Sequence, residues 1–271
     1  VTGRSTRARW GQNFLVDRNI CEQIVSWAHV DDTDVVEIGP GKGALTELLA
    51  ERARRLTLVE IDPRLAAHWR ERFADDGRVT VYHADALDVD LAELMPGPTR
   101  VVSNLPYETG IAIVRRLLSE PWRVSAAVVM LQKEVCGRLL AGPGGKAYGI
   151  LAIHTQLVAD VEAGRIVRAT CFRPQPKVSS QLVRIVPLPA PRFEVGSMRV
   201  FEQLVAAAFT QRRKMVRNSL GKWIDERLGQ GRGGELLDAV GVHPERRPET
   251  VDLETFANLS ARLHAELEGH A

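Results

Sequence analysis

Residues 35–46 read Val35-Val36-Glu37-Ile38-Gly39-Pro40-Gly41-Lys42-Gly43-Ala44-Leu45-Thr46, an apolar strand-like run that meets three alternating glycines and then a helical pattern. Glycine at such positions lets the backbone turn tightly and approach a ligand where a Cβ would collide. The helix that follows offers unpaired N–H groups to polar atoms. The chain around this turn repeats the same order. Val35–Ile38, Leu56–Ile61, Val79–His83, Val101–Ser103 and Ala126–Leu131 read as buried strands. Amphipathic stretches at Ala44–Arg54, Arg64–Phe73 and Ile111–Ser119 lie between them. Alternation of this kind predicts an α/β fold, a doubly wound, Rossmann-like parallel sheet. Leu182–Val186 reads as a last strand, ended by Pro187-Leu188-Pro189-Ala190-Pro191. Helical spacing over Met198–Leu220, Gly234–Val240 and Leu253–Leu267 predicts a small all-α C-terminal domain, which places the domains at 1–187 and 192–271.

The 271 residues are 45% hydrophobic and 26% charged, which fits a globular chain and argues against disorder. The longest apolar run, Val124–Leu131, is far short of the roughly 20 residues a membrane span needs. The first residues show no apolar core after their cations, so no secretory signal is expected. Three widely spaced cysteines, Cys21, Cys136 and Cys171, suit a reducing, cytoplasmic setting. A net charge of +2 hides an uneven distribution. Residues 31–100 carry nine cations against fifteen acids, residues 101–198 twelve against six, and residues 199–223 six against one. The most basic segment, Gln211–Lys222, has five cations and no acid. Such a run is either a solvated helix face or a phosphate-binding surface.

Three ligands compete for the glycine turn. A phosphate-binding P-loop needs Ser or Thr after Gly-Lys, and Gly43 follows Lys42, so that reading fails. A dinucleotide fits the glycine spacing, and Glu60 lies at a suitable distance to accept hydrogen bonds from ribose hydroxyls. Pro40, which lacks an N–H inside the turn, counts against it. S-adenosyl-L-methionine suits the acidic-x-Gly-x-Gly-x-Gly pattern of Glu37, Gly39, Gly41 and Gly43. Asp85, after the third strand, is placed to receive the amino group of an adenine ring. The turn alone leaves the last two readings open.

Ser103-Asn104-Leu105-Pro106-Tyr107 follows the fourth strand and decides between them. The exocyclic amine of adenine is a poor nucleophile, because its lone pair is delocalised into the ring. An asparagine side-chain oxygen and a neighbouring backbone carbonyl can accept its two protons and favour a pyramidal nitrogen aimed at a methyl donor. Pro106 stiffens the turn that presents these acceptors. Tyr107 can stack on a base taken out of its own stack.

These motifs occur in a telling order. Gly11-Gln12-Asn13-Phe14-Leu15, the Glu37 glycine turn, Val59-Glu60-Ile61-Asp62, His83-Ala84-Asp85-Ala86-Leu87 and Ser103–Tyr107 resemble those of ribosomal RNA adenine-N6 dimethyltransferases. Phe172-Arg173-Pro174-Gln175-Pro176-Lys177-Val178-Ser179-Ser180 is similar to that family's FxPxPxVxS loop. Leu131–Val135, Lys146–Gly149, Ala208–Leu220, Gly241–Pro244 and Arg247–Glu249 resemble the small-subunit, KsgA-type branch more than the large-subunit, Erm-type resistance methylases. The resemblance runs from about Gly11 to Leu263.

It implies a Rossmann-like S-adenosylmethionine methyltransferase sheet. Gln12, Asn13, Leu15, Gly39, Gly41, Gly43, Glu60, Ile61, Asp85, Ala86 and Asn104 would then hold the cofactor. Asn104, Leu105, Pro106 and Tyr107 would place the target amine, and Phe172 would cover the other face of the adenine. It further implies two methyl transfers per base to two adjacent adenines in a 3′-terminal hairpin of 16S ribosomal RNA, within an assembling 30S subunit. Arg212, Arg213, Lys214 and Arg217 would meet RNA phosphates, with Met215, Val216 and Leu220 packing on the large domain. The enzyme is expected to act as a monomer, with no metal and no membrane partner. The chain departs from the family at Glu108-Thr109-Gly110, where Asn-Ile-Ser is usual, which puts an acid at the rim of the expected site. Three rivals remain: an Erm-type enzyme, an assembly factor without catalysis, and a DNA adenine methylase.

Overall fold

The computed structural model describes residues 13–269. The chain divides into two compact units. The first comprises the residues up to Cys136 together with Asp160–Pro189. The second comprises Gly137–Ala159 together with the residues from Ala190 onward. The Pro-rich run at 187–191 therefore does coincide with a break, but the units are not the continuous ranges 1–187 and 192–271. A 23-residue segment at 137–159 leaves the first unit to join the second.

In the first unit, β1 (Phe14–Leu15) precedes helix α1 (Arg18–Ala28), whose first turn is capped by the Asp17 carboxylate accepting from the Ile20 N–H. There follow β2 (Asp34–Ile38), α2 (Thr46–Arg52), β3 (Arg55–Glu60), α3 (Pro63–Arg72), β4 (Val79–His83), α4 (Leu91–Leu94), β5 (Thr99–Asn104), α5 (Gly110–Leu117), β6 (Val124–Gln132) and α6 (Lys133–Leu139). After the excursion through α7 (Ile150–Val158) the chain returns as β7 (Ala159–Val167), β8 (Phe172–Arg173) and β9 (Ser180–Pro187).

Seven strands form one sheet in the order β4-β3-β2-β5-β6-β9-β7. The pairs β4–β3, β3–β2, β2–β5 and β5–β6 are parallel, and β9 runs antiparallel to β6. Val35, Val36, Val101, Val102, Val128 and Val129 are buried, the near-continuous burial expected of strands covered on both faces. The order reverses at β2, which lies between β3 and β5. In open α/β sheets that switch point is where ligands bind, beyond the carboxyl ends of the strands. Strand β7 escapes sequence reading because it is an edge strand: Glu162, Arg165 and Ile166 are exposed, and the pattern has no clean alternation.

The second unit has its own core. Ala152, Ile153 and Leu157 of α7 pack with Phe201, Leu204, Val205 and Ala208 of α8 (Met198–Thr210) and with Phe256, Leu259 and Leu263 of α11 (Leu253–Gly269). Between these lie α9 (Lys222–Leu228) and α10 (Arg232–Ala239). The helix expected over Met198–Leu220 ends at Thr210. Val216 and Arg217 donate their N–H groups to the carbonyls of Arg246 and Pro244, at 2.8 and 3.2 Å, instead of to a preceding helical turn. The chain then resumes as one π-helical turn at Arg217–Gly221. Val216 and Leu220 are buried in the core of this helical unit, while Met215 is partly exposed. Among the described residues no helix is long and apolar enough to cross a membrane.

Candidate active site

A cavity of about 240 Å³ lies beyond the carboxyl ends of β2, β3 and β5 in the first unit. The glycine turn forms one wall. Gly39, Gly41 and Gly43 all take positive φ values, 69°, 55° and 86°, which L side chains adopt only with strain. Their surroundings separate their roles. A Cβ on Gly39 would meet nothing within 4 Å, and Gly39 lines the cavity. A Cβ on Gly43 would stand 2.3 Å from the Trp69 ring, and Gly43 is not in the cavity wall. Gly39 thus keeps room for a ligand, whereas Gly43 admits the indole that supports the turn. Trp69, which no sequence pattern singled out, donates its Nε1–H to the Gly41 carbonyl at 3.1 Å.

Glu60 is 1% exposed and ends β3. Its two oxygens accept from the N–H groups of Gly41 and Asp62, both at 2.9 Å. These bonds join the glycine turn to the start of α3 and orient the carboxylate, whose remaining lone pairs can accept from a ribose. Ile61, Asp85 and Ala86 continue the wall. Asp85 accepts from the Leu87 N–H through Oδ1 at 2.9 Å, which fixes its side chain at the end of β4. At the switch point the Ile38 N–H donates to Ser103 Oγ at 2.8 Å, pinning the end of β2 to β5. A lone serine in an apolar strand carries no pattern that would have revealed this.

Glu37 is buried with its Oε2 unpartnered, and burial beside Glu60 pushes its carboxyl up to about 8. Glu37, Glu60, Asp85 and Glu108 all line the cavity, against Lys42 alone among the cations of the described lining. Lys42 is exposed and sits over the Phe14 ring, 4.9 Å from its centroid. With Glu37 holding its proton near neutral pH, the other three acidic side chains against one cation still disfavour a pyrophosphate and suit a ligand with sulfonium and ammonium groups. The open cradle at Gly39, the oriented Glu60 and this charge balance all fit S-adenosylmethionine.

The acceptor motif follows β5, which flanks β2 on the side away from Glu60 and β3. Asn104 ends β5 and donates from Nδ2 to the Asn13 carbonyl at 3.2 Å, so its Oδ1 is the end left to accept. Leu105 is held by its N–H donating to Met130 O at 3.2 Å. The Pro106 carbonyl accepts from the Gly110 N–H at 2.8 Å, where α5 begins. Tyr107 is half-buried, and its hydroxyl lies 2.7 Å from Ser180 Oγ. Removal from water raises its phenol above the usual range, partly offset by that bond.

The structure thus brings Asn13, Leu15, Gly39, Gly41, Glu60, Ile61, Asp85, Ala86, Asn104, Leu105, Pro106 and Tyr107 to one cavity. Gln12 lies outside the described residues. Gly43 stands behind the wall. Phe172 corrects the expectation made of it: it is 0% exposed, paired with Leu15 across the two-stranded β1–β8 sheet and packed into the core, and it does not line the cavity. The aromatic ring that does line the cavity from this region is Phe14. Its position directly after Gln12-Asn13 was the available signal.

In the helical unit, Arg213, Lys214 and Arg217 are exposed. Arg212 is half-buried, donates to the Gly145 carbonyl at 3.2 Å and approaches Glu249 at 4.0 Å. It holds two loops together, a role different from its three neighbours.

A family model described as ribosomal RNA adenine dimethylase matches residues 3–259. A Geobacter metallireducens protein named ribosomal RNA small subunit methyltransferase A is 43% identical over 276 residues, covering 98% of both chains. A Bacillus cereus protein of the same name is 42% identical, covering 96% of this chain and 92% of its own. Among solved structures, the 23S rRNA methyltransferase ErmE is 30% identical with a TM-score of 0.71, covering 93% of this chain and 99% of its own. A Plasmodium falciparum dimethyladenosine transferase, 24% identical with a TM-score of 0.78, shares the fold over 93% of this chain and 98% of its own. A match of this length, with relatives this similar along nearly the whole sequence, shows that the chain belongs to the ribosomal RNA adenine dimethylase family.

Proposed function

We propose that this enzyme dimethylates, at N6, two adjacent adenosines in the 3′-terminal hairpin of 16S ribosomal RNA, during assembly of the small ribosomal subunit. The observation that carries the chemistry is the orientation of Asn104, whose Nδ2 is engaged by the Asn13 carbonyl so that Oδ1 meets the target amine. S-adenosylmethionine, when bound, supplies an electrophilic methyl group on sulfur. Asn104 Oδ1 accepts a hydrogen bond from one N6–H. The Leu105 carbonyl accepts from the other, the Pro106 carbonyl being engaged by Gly110. This holds the amine with its lone pair directed at the donor, and positioning replaces a general base. The amine sheds its proton to water once the methyl group has been transferred. Tyr107 stacks on the extruded ring. Glu60 holds the ribose and Asp85 the adenine of the cofactor.

The exposed cations Arg213, Lys214 and Arg217 of the helical unit contact RNA phosphates. The similarity to proteins named for the small subunit, above 40% identity, supports this target over the large subunit. The enzyme acts as a cytoplasmic monomer on an assembling 30S particle. The test is transfer of labelled methyl groups to unmethylated 30S particles, naked 16S RNA and 50S particles. Label is expected on a small-subunit substrate. Label confined to 50S particles would assign the enzyme to the Erm-type activity, and label on none would leave the assembly-factor reading.

A further inference from the structure

Strand β9 runs against its neighbour, so it begins at the same sheet edge where β5 and β6 end. The register pairs Ser180 with Gln132 on one side of β6 and Asn104 with Met130 on the other. Backbone bonds fasten both segments to the end of β6. The Lys133 N–H donates to Ser179 O at 3.0 Å, and the Leu105 N–H donates to Met130 O at 3.2 Å. Two motifs 73 residues apart in sequence therefore meet, and a 2.7 Å bond between the Tyr107 hydroxyl and Ser180 Oγ links their side chains.

The two partners differ in setting. Ser180 is 0% exposed and is absent from the cavity wall, whereas Tyr107 is half-buried and lines it. A serine sealed from water has no solvent to turn to if the phenol leaves, so swinging the Tyr107 ring strands a buried hydroxyl. The hydroxyl end of the ring is held by Ser180 while the residue still lines the cavity.

We propose that Ser180 is a positioning residue for methyl transfer, which holds the Tyr107 ring in the orientation that receives the target base and itself touches neither base nor cofactor. The proposal rests on the reading of Tyr107 as the stacking platform. It explains why the FRPQPKVSS run accompanies the acceptor motif although its phenylalanine is buried away from the cavity: the run delivers its last serine to the phenol.

The test compares the full-length enzyme with Ser180→Ala, Tyr107→Phe, the double variant, Ser180→Thr and Tyr107→Ala. Methyl transfer to unmethylated 30S particles is measured beside cofactor affinity and melting temperature. Ser180→Ala is expected to lower kcat roughly tenfold with cofactor affinity unchanged. Tyr107→Phe, which removes the same bond from the other side, is expected to give a similar loss. The double variant is expected to lose no more than either, because both remove one interaction. Ser180→Thr, which keeps the hydroxyl, is expected to recover turnover. Tyr107→Ala should be the most impaired. Wild-type kcat in Ser180→Ala, or losses that multiply in the double variant, would overturn the role of Ser180 while a slow Tyr107→Ala leaves the platform standing. A Tyr107→Ala enzyme of normal rate would instead remove the platform.

Discussion

Asn104 and Asn13 are joined by a 3.2 Å bond from the Asn104 amide to the Asn13 backbone carbonyl, across 91 residues of sequence. The bond gives the amide a direction: nitrogen to the protein, oxygen to the substrate. Asn104→Ala is expected to reduce turnover by orders of magnitude through loss of positioning, with cofactor binding largely retained. Asn104→Asp should be as slow and should also weaken cofactor binding, since a carboxylate oxygen in place of the amide nitrogen repels the Asn13 carbonyl. Single-turnover methyl transfer with a separate cofactor titration checks both. Normal single-turnover rates in Asn104→Ala would remove Asn104 from the chemistry.

Gly39 and Gly43 share a motif and a backbone conformation but predict opposite phenotypes. Gly39→Ala costs about 1–2 kcal/mol of left-handed strain and meets no neighbour. Its main expected effect is weaker cofactor binding. Gly43→Ala adds to similar strain a clash with Trp69, about 1–3 kcal/mol more, and should lower the melting temperature strongly. Calorimetry beside cofactor titration distinguishes them; equal loss of stability in the two would contradict the assignment.

Glu37 predicts a pH dependence of stability. Its carboxyl titrates near 8 in the folded chain, against about 4.3 when unfolded. The folded state therefore holds the proton more tightly. Between these two values the unfolded chain is ionised while the folded one is still protonated, so stability falls as pH rises and levels off above about 8. Glu37→Gln should flatten that part of the profile in the cofactor-free protein. Urea unfolding from about pH 5 to about pH 8 tests it, and parallel profiles for the two proteins would refute the burial argument.

The basic segment separates into two roles. Arg213→Ala with Lys214→Ala and Arg217→Ala should leave the melting temperature near wild type. The salt dependence of RNA binding should flatten by roughly 0.7–0.9 in log–log slope for each phosphate that is no longer neutralised. Arg212→Ala should act mainly on stability, by removing the bond to Gly145 and the pairing with Glu249. An unchanged salt slope in the triple variant would return these cations to the solvated surface.

Which residues gather at the cavity was largely legible in the sequence; what supports them was not. The glycine turn, Glu60, Asp85 and Asn104–Tyr107 announce themselves because each follows a strand, and a parallel sheet gathers its strand ends at one edge. Ser103, Trp69 and Ser180 act through bonds to partners far along the chain, and a single serine or tryptophan has no spacing to read. Phe172 shows the converse. Its place beside two prolines in a family-like loop suggested a base-covering ring, but its pairing with Leu15 turns it into the core. The helix drawn over Met198–Leu220 overran because amphipathic spacing persists past Thr210, while the amides of Val216 and Arg217 are claimed by a loop some thirty residues later.

The excursion of residues 137–159 has a practical corollary for dissecting the molecule. A single cut at the proline run after Pro189 promises two domains, yet it would leave α7 on the wrong fragment. Ala152, Ile153 and Leu157 would be parted from Phe201, Leu204 and Phe256 and turned out to water. Each fragment would then carry a sticky surface, one an orphan helix and the other an unfilled seat. Separable halves require moving 137–159 onto the C-terminal piece and rejoining Cys136 to Asp160 by a linker long enough to run back along the sheet, because β7 runs in the same direction as β6. By the same reasoning, recombination between relatives would preserve both cores only if it exchanged the two stretches of the helical unit together.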